Sequence, residues 1–124
     1  MPLNQSQRPL YEAKANLFKG LAHPLRIRIL ELLAGAEEEV SVADLQTETG
    51  LEASHLSQHL AVLRRHSLVV SERRASHVFY RLVDRRTVDM LAAARGLLLG
   101  MLEDDEAQLS EARSLPQIRG SDTA

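Results

Sequence analysis

The chain has 124 residues, 44% of them apolar and 3% aromatic, and a formal net charge of −2. That length suits one domain with a modest core, and so few aromatic rings exclude a stacking platform for single-stranded nucleic acid. Cysteine is absent, which excludes disulfides, thiol redox sensing and thiolate metal ligation. The polar stretch from Pro2 to Pro9 is not a signal peptide, and the longest apolar run, 96–102, is too short to span a bilayer. The expected location is the cytoplasm, with no membrane partner.

Residues 1–9 hold two prolines, two glutamines and an asparagine and form a flexible N-terminal segment. From Leu10 or Tyr11 to Leu21, apolar Ala13, Leu17, Phe18 and Leu21 recur at helical spacing, and Gly20 weakens the end of that helix. His23-Pro24 restarts the chain, because proline is tolerated in a first helical turn, where its missing N–H has no partner to lose. Leu25, Ile29, Leu32 and Leu33 then mark the buried stripe of a second helix that ends near Gly35, and an acidic loop, Glu37-Glu38-Glu39, follows.

Ser41 and Asp44 open a third helix as a capping box, which runs through Leu45 to Gly50. A fourth helix places Leu56, Leu60 and Leu63 at i, i+4 and i+7, one buried face of a 3.6-residue period. Its other face offers Ser54, His55, Ser57, Gln58 and Arg65, side chains that form hydrogen bonds and do not pack. A short helix, a glycine turn and a second helix with a polar outer face read as a helix-turn-helix. A strand from Leu68 to Glu72, a turn Arg73-Arg74-Ala75-Ser76 and a returning strand His77–Leu82 make a hairpin with a basic tip, a wing.

Between residues 64 and 86 seven arginines face two acids, a local excess of +5 that suits a phosphate-facing surface, or else a solvated face. Past Asp84, an N-cap or turn residue, a long helix runs from Arg86 to Leu109. Val88, Leu91, Ala92, Arg95, Leu98, Leu99 and Leu102 give it more apolar surface than a terminal helix of a small domain needs. A subunit interface accounts for that surface, the alternative being core packing. The fold class is therefore mainly α with a small β-hairpin wing (α+β), in the order of four helices, two strands and a helix, spanning residues 10–109 as one DNA-binding and dimerisation domain. Residues 110–124, with Pro116 and Gly120, form a flexible C-terminal tail.

Three segments carry a resemblance to the ArsR/SmtB family of bacterial winged-helix repressors: LFKGLAHPLRIRILELLA (17–34), GLEASHLSQHLAVLRRHSLVV (50–70) and HVFYRLVD (77–84). The likeness covers roughly residues 11–102. It implies a homodimer on an imperfect palindromic operator, released when an effector binds. It implies that Ala53 to Arg65 form the major-groove helix, with Ser54, His55, Ser57, Gln58, His59, Arg64 and Arg65 at the DNA, and that Arg73, Arg74, Ser76 and His77 serve the wing. It assigns the dimer to the first and last helices, through Tyr11, Leu17, Leu91, Arg95, Leu98, Leu99 and Leu102. Glu52 departs from the family, which often has Ser or Thr as the helix cap there.

The metal positions of the family depart further. Val40-Ser41-Val42 occupies the segment where family members place cysteines near the third helix, and Leu97 and Gly100 fall where partners of Asp84 on the last helix are expected. Neither common metal site is expected and no cofactor is expected, which leaves three triggers open: an unknown small molecule, an atypical metal at His or carboxylate residues, or none beyond changes in expression. His55 and His59, at i and i+4, are two histidines short of further ligands. Asp44, His55 and Ser57 lack the nucleophile elbow and oxyanion site of a hydrolase, so no enzyme activity is expected. The competing readings are a metal-responsive repressor with an atypical His/carboxylate site and a dimeric protein-interaction module that does not bind DNA. Arg73 and Arg74 oppose the latter, since an idle wing has no physical need of them.

Overall fold

The structure, a computed structural model, describes residue 2 and residues 4–115. The chain divides into two compact units, residues 1–89 and residues 90–124. In the first, α1 (Arg8–Leu21), α2 (Pro24–Gly35), β1 (Val40–Ser41), α3 (Val42–Thr49), α4 (Ala53–Arg65), β2 (Val69–Arg74) and β3 (His77–Leu82) follow one another. The last helix, α5 (Arg86–Ser114), starts in the first unit and forms the described part of the second.

The core of the first unit is aliphatic. Ile29, Leu30 and Leu33 of α2 are buried, as are Leu45 of α3 and Leu56, Leu60 and Leu63 of α4. Leu68, Val69, Tyr80 and Leu82 close the core from the sheet. Each fully buried leucine or isoleucine contributes about 1.5–3 kcal/mol of transfer free energy, so the three leucines of α4 fix its rotation about its own axis.

Two junctions hold the first helices in place. His23 caps α2 with its ring, Nδ1 accepting from the Leu25 backbone N–H at 3.1 Å. Arg26 reaches back to the carbonyls left open at the end of α1, Nε donating to Gly20 O at 2.8 Å and Nη2 to Lys19 O at 3.1 Å. Gly20 is buried, and a Cβ there would stand 2.8 Å from His66 Cβ and 2.9 Å from Leu68 Cδ1. The glycine that weakens α1 by propensity thus lets α1 approach the end of α4.

The sheet is antiparallel with strand order β1-β3-β2. The hairpin was expected; β1 was not, since two residues carry no alternation. Val40 pairs with Tyr80 and Ser41 with Phe79, which ties the loop before α3 to the wing. β2 continues through Arg74, so the connection is Ala75-Ser76 alone, and Ala75 takes φ 56° in the left-handed region. α1 begins at Arg8 and α5 runs to Ser114, both beyond the helices expected from periodicity, and α5 stops short of Pro116, as helices do ahead of a proline. The expected tail lies outside the described residues from 116 onward.

Asp84 starts α5: its Oδ1 accepts from the Arg86 N–H at 2.9 Å, and its Oδ2 pairs with Arg86 Nη2 at 2.7 Å. These bonds hold the Asp84 carboxyl down at about 2.

Candidate nucleic-acid interface

The turn between α3 and α4 is built from side-chain and backbone bonds. Ser41 Oγ accepts from the Asp44 N–H at 3.0 Å, as the capping pattern requires. Gly50 closes α3 at φ 70°, its N–H donating to Gln46 O at 2.9 Å. Thr49 Oγ1 donates to Leu45 O at 2.7 Å and accepts from the Leu51 N–H at 3.3 Å, which fixes the entry into α4.

With Leu56, Leu60 and Leu63 buried, the opposite line of α4 faces outward. Ser54, Gln58, Ala61 and Arg65 fall at i, i+4, i+7 and i+11 and all four are exposed. Ala53, His55, Ser57 and Arg64 flank that line and are exposed too. Ala61 was not among the sequence candidates, because a lone alanine carries no polar signal; only its place on the outward line marks it. Arg64 and Arg65 occupy the last turn, where a cation also suits the negative end of the helix dipole. Glu52 stands at the N-cap, exposed, and its side chain makes no cap bond. A carboxylate is nonetheless favoured electrostatically at a helix N-terminus.

His59 is set apart from these residues. It is half-buried, and its ring lies 4.4 Å from that of His23, tilted by 50°. Burial above all, then the charges of His23, Arg26 and His55, push His59 below its ordinary value of 6.5. A neutral imidazole packed on the α2 cap is a different surface from the exposed His55 one turn earlier. Among the described residues no group of three or more His, Asp or Glu side chains is arranged to hold a metal ion.

The wing carries the other candidates. Arg73, Arg74, Ser76 and His77 are all exposed at its end. Strand pairing separates the two arginines: Arg73 opposes Val78 and Arg74 opposes His77, so they stand on opposite faces of the hairpin. Arg74 lies over the Phe79 ring, its guanidinium carbon 4.2 Å from the centroid, and pairs with Glu39. Arg73 has no ion-pair partner among the described residues. Glu39 was not legible as a wing residue in the sequence, and Phe79 was read only as part of the returning strand.

The residues named for a subunit interface lie on α1 and α5. Tyr11 is exposed and Leu17 half-buried on α1, where Leu10 and Phe18 are exposed as well. On α5 Leu91 is half-buried and Arg95, Leu98, Leu99 and Leu102 are exposed. No helix among the described residues is long and apolar enough to cross a membrane.

Comparison with known proteins agrees with this geometry. Residues 21–72 match the family model of a helix-turn-helix domain. The chain is 45% identical over 107 residues to the uncharacterised HTH-type transcriptional regulator Rv0081 of Mycobacterium tuberculosis (86% of this chain, 92% of that one). It is 37% identical to a biofilm growth-associated repressor of Xylella fastidiosa (64% of this chain, 68% of that one) and 42% identical to the transcriptional activator HlyU of Vibrio cholerae (65% and 74%). The crystal structure of Rv0081 superposes with a TM-score of 0.70 at 46% identity, over 78% of this chain and 96% of that one. The solution structure of Mb0332 from Mycobacterium bovis, described as a homodimeric winged helix-turn-helix DNA-binding domain and a possible ArsR-family regulator, superposes with a TM-score of 0.68 at 26% identity, over 79% and 89%. These relatives are described as a transcriptional regulator, a repressor and a transcriptional activator. With a capped helix-turn-helix, a β-hairpin wing and these relatives, the chain belongs to the winged-helix HTH-type transcriptional regulators, sequence-specific DNA-binding proteins.

Proposed function

We infer that the protein is a homodimeric repressor of the ArsR/SmtB type that occupies a palindromic operator in the cytoplasm. The observation that carries this reading is the exposed line Ser54, Gln58, Ala61 and Arg65, directly opposite three buried leucines. A helix held so rigidly on one side presents the other at a fixed rotation, which reading base edges in a major groove demands. Gln58 pairs with adenine through two hydrogen bonds, Ser54 serves several bases, and the Ala61 methyl suits contact with thymine. Arg64, Arg65 and Arg73 neutralise phosphates, with Ser76 and His77 beside them at the wing. His55 and Ser57 flank the reading line within reach of base or phosphate.

The dimer rests on the apolar residues that α1 and α5 leave exposed. On α5 Leu97, Leu98, Leu99, Met101 and Leu102 are all open to solvent in a single chain. At roughly 100° per residue they cover about half of the helix circumference, a wider apolar face than a solvated terminal helix needs. Paired half-sites one helical turn apart follow from a two-fold axis. With no cysteine in the chain, relief of repression does not run through a thiol or a thiolate-bound metal. Activation of transcription is the second reading, favoured by the likeness to HlyU.

Footprinting of the purified protein on the DNA upstream of its own coding sequence tests the reading. Two protected half-sites with dyad symmetry, and less transcript from that promoter in vitro when protein is added, are expected. More transcript would move the assignment to activation, and protection without symmetry would contradict the dimer.

A further inference from the structure

We propose that Glu39 masks Arg74, so that of the two wing arginines only Arg73 is free to neutralise a phosphate, and that Glu39 thereby sets how tightly the protein holds DNA. This rests on the assignment of the wing to DNA. Three features of the wing carry it. Arg74 is ion-paired with the Glu39 carboxylate, and its guanidinium lies over Phe79. Phe79 opposes Glu72 in the strand register, which makes it the diagonal neighbour of Arg74 on the same face. Glu39 precedes Val40, which pairs with Tyr80, so Glu39 comes to the same outer face opposite Arg81. A shallow cavity of about 270 Å³ on that face is lined by Glu39, Glu72, Phe79 and Arg81.

The outer face of the sheet is therefore charge-balanced, with Glu39 and Glu72 against Arg74 and Arg81. Arg73 stands on the other face, exposed, and the nearest carboxylate in sequence, Glu72, points away from it. For a phosphate to take Arg74, the Glu39 carboxylate must give up its partner and remain beside the incoming anion. Counterion release then gains nothing from Arg74, while Arg73 contributes its full share. A wing with two neighbouring arginines acts as a wing with one.

The test is the salt dependence of binding to a duplex of random sequence, which needs no knowledge of the operator. Native protein, Glu39→Gln, Arg74→Ala, the double variant and Arg73→Ala are compared, with Glu38→Gln as a control. Glu38 is exposed beside Glu39 and is not bonded to Arg74, so its replacement adds the same charge without freeing the arginine. Circular dichroism melting curves establish that each variant is folded. Glu39→Gln is expected to tighten binding and to steepen the plot of log K against log salt by about 0.9, one phosphate contact. Arg74→Ala leaves the native slope unchanged but removes the gain of Glu39→Gln, and Arg73→Ala lowers the native slope by about 0.9. An equal gain from Glu38→Gln, a gain that survives in the double variant, or a native slope that falls with Arg74→Ala would each overturn the mask alone. A native protein that bound no duplex would overturn the DNA assignment and the mask with it.

Discussion

Two helices of this chain are rich in leucine, and they use it in opposite ways. In α4 the leucines lie on one line, 56, 60 and 63, and all are buried in the first unit. In α5 the apolar residues after Gly96 fall on successive positions and stay exposed. The first pattern is completed by its own chain and leaves a polar line free for another molecule. The second is left incomplete by its own chain. Periodicity, more than apolar content, tells which helix is packed by its own chain and which is not.

Changes that strike the leucines should separate the two helices. Leu60, 2% exposed, is an anchor of α4. Leu60→Ala should lower unfolding free energy by about 2–5 kcal/mol, read from the urea midpoint, and an unchanged midpoint would mean that α4 is not anchored there. Leu98 is 54% exposed in the single chain, so its truncation should leave the fold of one subunit intact. Leu98→Asp sets a charge in the proposed α5 seam and should turn a dimer into monomers at micromolar concentration, as sedimentation velocity records. A native monomer, or a dimer unmoved by that change, would remove α5 from the interface.

A smaller effect is expected where α1 meets the end of α4. Gly20→Ala gains about 1 kcal/mol in helix propensity but forces a methyl to within 3 Å of His66 and Leu68, an overpacking that costs about 1–3 kcal/mol. The net outcome is a lower melting temperature, and a higher one would show that the junction yields. The smallest effect concerns pH. His59 is held below 6.5 when folded, by burial first and by His23, Arg26 and His55 after it. The stability gained by keeping it neutral is whole above pH 6.5 and is lost as pH falls through the folded value, because the unfolded chain then binds more protons. Melting temperature should therefore decline below pH 6.5, and His59→Gln should flatten that decline. An equal decline in the variant would place the titrating group elsewhere.

Much of the fold was open to reading in the sequence because it obeys local rules. The Ser41 cap, the glycine turn at Gly50 and the three leucines of α4 each follow from a spacing or a residue's backbone preference, and each stands where expected. What escaped depends on residues far apart in the chain. β1 is too short for a pattern, yet it brings Glu39 to the wing. Arg73 and Arg74 look alike as neighbours, and only the strand that extends through Arg74 divides them between two faces. In the sequence His23-Pro24 only restarts the chain, whereas in the fold His23 caps α2 and packs on His59. Ala61 has no chemistry of its own to announce it.

The central claim is that the outward line of α4 reads bases and does not merely adhere to DNA. Binding of native protein and Gln58→Ala to operator and scrambled duplexes, each across a range of salt, tests it most directly. The variant should lose about 1–3 kcal/mol on the operator and little on the scrambled duplex, with the salt slope unchanged on both. An equal loss on both duplexes, with discrimination intact, would contradict the claim.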